Sequence, residues 1–193
     1  MITHISGKLV EKSPTSVVVD CNGIGYFIHI SLHTFSQLTD DEHLKLFTHF
    51  QVKEDAHQLY GFVTLAEREI FRLLISVSGI GTNTARTMLS SLSPKQVREG
   101  IASEDVALIQ SVKGIGLKTA QRVIIELKDK VLKIYDIDET VALSSNTNKD
   151  EALSALEVLG FAKKQSERVV VKILTQQPDA SVELIIKEAL KNL

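Results

Sequence analysis

The sequence predicts an α+β chain: a small β-barrel at the N-terminus, then two all-helical units. Three observations predict it. Short β-branched and aromatic runs separated by turn residues fill residues 1–63. Helical apolar periodicity, interrupted by two near-identical glycine turns, fills residues 64–134. After a polar, acidic stretch without period at 135–147, helical periodicity resumes over 148–193.

The strands come in order. Ile5 to Val10 is the first, and Ser13-Pro14-Thr15 turns the chain into Ser16 to Cys21. Asn22-Gly23 then makes a hairpin, because both residues accept positive φ. Gly25 to Ser31 is the third strand, Leu44 to Phe50 the fourth and Gln58 to Phe62 a short fifth. Between the third and fourth, His33 to Glu42 reads as a short helix or loop with Leu38 turned inward. Five short strands with a break after the third suit a Greek-key barrel of OB type. The connection between the last two strands carries adjacent carboxylates, Glu54 and Asp55, at its tip. Such a tip is ordinarily no more than solvated surface.

Thr64-Leu65-Ala66-Glu67 reads as a capping box, opening a helix whose Ile70, Phe71, Leu74 and Ile75 share a face. Val77-Ser78-Gly79-Ile80-Gly81-Thr82-Asn83-Thr84-Ala85 follows, and its counterpart Val112-Lys113-Gly114-Ile115-Gly116-Leu117-Lys118-Thr119-Ala120 lies 35 residues later. A repeat of that length is one supersecondary unit used twice, here a helix, a glycine turn and a helix. Between the copies, Ser93-Pro94-Lys95-Gln96 opens a helix with a cap, a first-position proline and a capping-box glutamine. Ser103-Glu104-Asp105 opens another, with acids expected in its first turn. A long helix from Leu117 to about Leu132 ends in Lys128 and Lys130, the favourable sign for a C-terminus.

Each glycine turn delivers the chain to a helix start, where unpaired N–H groups and the positive end of the helix dipole can meet a phosphate. The candidate anion-binding residues are therefore Gly79, Ile80, Gly81, Thr82, Asn83, Thr84 and Arg86 in the first copy. In the second they are Gly114, Ile115, Gly116, Leu117, Lys118, Thr119 and Arg122. One such turn could simply join two packed helices, but two copies with matching Thr-Ala weigh against that. Gly116-Leu117-Lys118-Thr119 is no P-loop, since Leu117 separates the glycine from the lysine, and Gly79-Ile80-Gly81 lacks the third glycine of a dinucleotide fingerprint.

In the last unit Ala152, Leu153, Leu156 and Leu159 share a helix face that Gly160 terminates. Val169, Val170, Ile173 and Leu174 belong to a second helix, and Val182, Ile185, Ile186, Ala189 and Leu190 to a third. Leu159-Gly160-Phe161 looks like the turn of a ubiquitin-associated-type bundle.

Composition narrows the function classes. The 193 residues carry a formal net charge of −2 and a single cysteine, Cys21, which excludes an internal disulfide and a multi-cysteine zinc site. No signal peptide and no apolar run of membrane-spanning length is present, so a cytoplasmic protein is expected. The charge is uneven: −3 over residues 1–64, +3 over 65–130 and −2 over 131–193. The basic balance falls on the glycine turns, where a polyanion would bind. Six histidines are scattered without metal spacing, no serine sits in a nucleophile elbow, and neither a catalytic residue nor a cofactor is expected.

The paired turns resemble the tandem helix–hairpin–helix DNA-binding motif. In this order, with Phe47-Thr48-His49-Phe50, Lys53-Glu54-Asp55-Ala56, Leu59-Tyr60-Gly61-Phe62 and Ala155-Leu156-Glu157-Val158-Leu159-Gly160-Phe161, the whole chain resembles the RuvA family. Its members are the DNA-binding subunits of the bacterial Holliday-junction branch-migration complex, active in recombination and DNA repair. The resemblance implies a homotetramer, with an octamer left open, on an open square four-way junction. The hairpins would grip the arms by minor-groove phosphates without sequence preference. Glu54 and Asp55 would form an acidic pin at the crossover. The third domain would bind the hexameric RuvB ATPase, with Leu156, Leu159 and Phe161 as candidate contacts, and the resolvase RuvC would be a further partner. Asn83 stands where many relatives have lysine, and Phe161 where tyrosine is frequent. A helix–hairpin–helix glycosylase or nuclease would need a catalytic Asp or Lys beside the hairpins. A single-strand binder would want an aromatic platform in a basic groove, whereas the barrel segment is net acidic.

Overall fold

The computed structural model describes residues 1–39, 43–132, 148–177 and 180–193. The stretch expected to be a linker, 135–147, lies outside them. The chain divides into two compact units, Met1–Asp138 and Glu139–Leu193.

In the first unit β1 (His4–Ser13), β2 (Ser16–Cys21), β3 (Ile24–His29), β4 (His43–Val52) and β5 (His57–Phe62) close into a barrel of order β1-β2-β3-β5-β4. All pairings are antiparallel except β3 with β5. This is the five-stranded barrel that the turn spacing predicts. Asn22 and Gly23 take φ of 54° and 90° at the β2–β3 hairpin. β1 runs three residues beyond the predicted Val10. A register shift between Leu9 and Glu11 lets it bend while pairing with β2, and the residues after it are too polar to show a strand period. Ile5, Val17, Val19, Ile28, Ile30, Leu46 and Leu59 fill the barrel. The expected helix between β3 and β4 is α1 (Leu32–Gln37), capped by Ser31.

Five helices follow: α2 (Leu65–Ser76), α3 (Thr82–Ser91), α4 (Pro94–Ala102), α5 (Val106–Gln110) and α6 (Leu117–Leu132). α4 starts with the full capping box expected at Ser93 and Gln96. At α5 the acids precede the helix instead of occupying its first turn. Asp105 is the N-cap, accepting from the Leu108 N–H at 2.9 Å, and Glu104 takes a positive φ of 59° and pairs with Lys128.

β5 belongs to both layers. Leu59 enters the barrel, and a Cβ on Gly61 would sit 2.6 Å from an Ile28 methyl, so that face is filled. Tyr60 and Phe62 point the other way, their rings 5.2 and 5.0 Å from Phe71 of α2. Strand alternation thus puts one edge of the helical core on the barrel wall.

At α2 only half of the predicted capping box forms. Thr64 Oγ1 accepts from the Glu67 N–H at 3.1 Å. The Glu67 carboxylate is not spent on the N-cap amide. It is fully buried and accepts from Ser31 Oγ at 2.6 Å and Thr34 Oγ1 at 2.8 Å, tying α2 to α1. Two tertiary hydroxyls in a dry site outcompete a solvated local bond.

In the second unit α7 (Asn148–Val158), α8 (Lys163–Gln176) and α9 (Val182–Asn192) pack around Ala152, Leu156, Val170, Ile173, Ala180, Ile185 and Ala189. Leu159 and Leu190, which share the apolar helix faces by periodicity, are 58 % and 45 % exposed. Among the described residues, no helix is long and apolar enough to cross a membrane.

Burial pushes the Glu67 carboxyl above its ordinary value of 4.5, against the lowering effect of the Ser31 and Thr34 bonds and of nearby His33. The folded chain therefore holds this proton more tightly than the unfolded chain. The site's stabilisation is complete below the ordinary value and is lost as pH rises through the folded value. Glu67→Gln removes the titration and keeps one acceptor oxygen. Its melting temperature relative to wild type should climb as pH rises above the ordinary value of 4.5, and a pH-independent difference would contradict the assignment.

Candidate nucleic-acid interface

The two glycine turns adopt matching geometry. In the first, α2 ends at Val77, Gly79 takes φ of 95°, and the Ile80 N–H donates to the Val77 carbonyl at 3.0 Å. In the second, Gly114 takes φ of 92° and the Ile115 N–H donates to the Val112 carbonyl at 3.1 Å. Val77, Ile80, Ala85 and their counterparts Val112, Ile115 and Ala120 are all buried in one core. The Val and Ile side chains are plugs that anchor each turn from beneath.

The first intrahelical bonds run from the Ala85 N–H to the Gly81 carbonyl at 3.0 Å and from the Ala120 N–H to the Gly116 carbonyl at 2.9 Å. The amides of residues 82–84 and 117–119 precede them and have no acceptor within their helix. Gly81, the N-cap of α3, offers no side chain to occupy them. Gly79, Gly81, Asn83, Gly114, Gly116, Leu117 and Lys118 are exposed around these amides, with Thr84 and Thr119 half-buried. The two sites are bridged, because Arg122 Nη1 of α6 donates to the Ser78 carbonyl in the first turn at 3.1 Å.

Four predicted residues direct their side chains into the core or toward the barrel. Ile80 and Ile115 are core. Thr82 is buried, its hydroxyl turned to the barrel. Arg86 also faces the barrel, donating to the Thr15 carbonyl at 3.4 Å and lying 3.2 Å from His29 Nδ1. Burial and then the Arg86 charge hold His29 below its ordinary 6.5, so the neutral ring accepts from the guanidinium. Arg86 is therefore directed at the barrel.

Glu54 and Asp55 are exposed at the tip of the β4–β5 connection, which the Lys53 N–H closes onto the Ala56 carbonyl at 2.9 Å. The last ladder pairs below it are Val52 with His57 and Gln51 with Gln58.

In the second unit Gly160, at φ of 96°, ends α7. The Gly160 N–H bonds the Glu157 carbonyl and the Phe161 N–H bonds the Leu156 carbonyl, at 3.0 and 3.1 Å. This double-bonded stop follows directly on Leu159, whose N–H still donates to the Ala155 carbonyl at 3.0 Å and whose side chain is 58 % exposed. Leu156 is fully buried and so belongs to the core, not to a contact surface. Phe161 packs half-buried against that core. Val158, beside Leu159, is 85 % exposed.

Three family matches tile this architecture. The RuvA N-terminal domain matches residues 1–61, a SAM-like helix-hairpin-helix tandem residues 71–129 and the RuvA C-terminal domain residues 147–193. Similar proteins include the Holliday junction branch migration complex subunit RuvA of Flavobacterium psychrophilum, 66% identical over 193 residues with both chains fully covered. The proteins of the same name from Christiangramia forsetii and Bacteroides thetaiotaomicron are 65% and 49% identical, again over the full length of both chains. The chain belongs to the RuvA family.

Sequence reasoning missed three features of this RuvA-family chain. Val158 lies one residue outside the quoted Leu-Gly-Phe turn, and as the last residue of α7, two after the buried Leu156, it points away from the core face. The Arg122–Ser78 bridge spans 44 residues and has no local signature. The inward Thr82 hydroxyl depends on Tyr60, 22 residues away. Among the described residues, no group of three His, Cys, Asp or Glu could hold a metal ion.

A Cβ at Gly114 would meet nothing within 4 Å, so backbone conformation alone demands glycine there. Gly114→Asn should lose the less stability, because asparagine tolerates positive φ better than other residues with a Cβ. Gly114→Val should lose about 1–2 kcal/mol, read from urea unfolding.

Proposed function

We propose that the chain binds four-way junction DNA through the amides of its two glycine turns, without reading sequence. The observation that carries this reading is the bridged pair of open helix starts in a RuvA-family chain. Two backbone sites at fixed separation suit a phosphate backbone, which every sequence presents alike. Lys118 and Arg122 add charge beside the second site. Arg122 does so with part of its guanidinium held by Ser78.

Four copies would surround an open, square junction, with Glu54 and Asp55 of each chain lining the crossover. Carboxylates there would repel phosphates and favour strand parting as pairs exchange. The second unit would dock the RuvB ATPase through Leu159 and Phe161, with Val158 beside them. The chain would then be the non-catalytic DNA-binding subunit of a cytoplasmic branch-migration machine, motor chemistry staying with RuvB and RuvC acting as a further partner. Such assembly follows what the relatives' name describes, a subunit of a branch migration complex.

Lys118→Ala should weaken binding equally across junctions with unrelated arm sequences. It should also make the slope of log affinity against log salt shallower by about 0.9 per lost contact. A sequence-dependent loss, measured by fluorescence anisotropy, would defeat the backbone reading.

Glu54→Gln with Asp55→Asn should tighten duplex binding more than junction binding, so junction preference falls. The change should fade as salt rises, since the screening length is about 8 Å at physiological ionic strength. Unchanged preference at both low and high salt would remove the pin and leave the hairpins standing.

A further inference from the structure

The acidic connection and the first glycine turn come from separate parts of the sequence, yet one side chain joins their bases. Tyr60 of β5 is buried, its ring held between His29 at 5.4 Å and Phe71 at 5.2 Å. Its hydroxyl lies 2.9 Å from Gln58 Oε1 and 2.9 Å from Thr82 Oγ1. The Thr82 hydroxyl in turn donates to Gln51 Oε1 at 3.2 Å. Gln51 and Gln58 face each other across the β4–β5 ladder, one pair below the pair from which the Lys53–Ala56 tip springs. Thr82 is the first residue of α3, and its amide is the first of the open donors in that turn.

We infer that Tyr60 is a positioning residue for junction selectivity: through Thr82 and the Gln51–Gln58 pair it fixes where the acidic tip stands relative to the first anion site. The ring needs no hydroxyl to fill its place in the core, because its packing against His29 and Phe71 is apolar and aromatic. The hydroxyl has one proton to give, to Thr82 Oγ1 or Gln58 Oε1, while Thr82 gives its own to Gln51 Oε1, so two hydrogen bonds at a time hold these side chains together. A rigid link matters for a repulsive element. An acidic tip that wanders deflects every DNA alike, whereas a tip fixed against the phosphate site rejects duplex passing over the centre and admits a junction whose centre is open. This inference rests on the junction reading above.

The test uses the full chain and measures affinity for a four-way junction and for duplex of the same length, at low salt. Tyr60→Phe should retain the circular-dichroism spectrum and duplex affinity to within about twofold. It should cut junction-over-duplex preference by about fivefold, the shift that one hydrogen bond of typical net strength can cause. A second comparison covers poor folding of that variant: Thr82→Ser keeps the hydroxyl and should keep the preference, while Thr82→Val should lose it. In the Glu54→Gln/Asp55→Asn background, Tyr60→Phe should change the preference by less than about twofold, because groups acting through one another do not add. Full additivity there overturns the inference, as does a wild-type preference retained by both Tyr60→Phe and Thr82→Val. Absence of any junction preference in the wild-type chain overturns the junction reading and this inference together.

Discussion

Phe71 is the contact on which the first unit depends. Its ring meets Phe62, Tyr60 and His49 at 5.0, 5.2 and 5.5 Å, so one residue of α2 packs on two adjacent barrel strands. The arrangement works only because β5 is buried on both faces. Gly61 leaves room for the Ile28 and Leu46 methyls inside, while Tyr60 and Phe62 present aromatic surface outside. Aromatic burial of this kind contributes more than its area alone implies. Barrel and helices share a strand here, and what is built on either inherits a common frame. Glu67 with Ser31 and Thr34, Arg68 with the Thr3 carbonyl, and Ser90 with the Leu32 amide reinforce it from other sides.

The anion sites proposed at the glycine turns depend on that frame but would use little charge. The segment holding them is only modestly basic, Asn83 supplies no charge and Arg86 is committed to the barrel. What remains is backbone: six amides left over by helix geometry, placed outward by turns whose valines and isoleucines are plugged into the core.

Some of this was legible in the sequence and some was not, for physical reasons. The barrel, the Asn22-Gly23 hairpin and both glycine turns were readable because each rests on a local rule, strand alternation or positive φ. The capping motif at Ser93 was readable because both partners lie within one turn of helix. Thr64 and Glu67 show the same motif, yet Glu67 bonds Ser31 and Thr34, more than thirty residues away. A local rule fails where a buried tertiary partner competes. Leu159 fits the helical period and keeps the helical bond to the Ala155 carbonyl, yet it stands exposed beside the Gly160 stop, where the packing partners of that face have run out. Thr82 and Arg86 stand at exposed-looking positions of a repeat whose second copy has Leu117 and Gln121 there, and only the barrel's proximity turns the first pair inward.

The Arg122–Ser78 bridge has a consequence for the phosphate binding proposed at the two turns. Two weak sites joined by a loose tether would gain little from each other, since the second would have to be found by diffusion of its own segment. Joined by a guanidinium and a shared core, they present the second site at an effective concentration set by geometry alone. The entropy of bringing the two sites together is then spent on folding and not on each encounter. Neutral amides can thereby reach an avidity that their individual strengths would not provide. A flexible strand, whose phosphates must first be arranged to match that fixed separation, gains less from this pairing than a stiff duplex that already holds them in place.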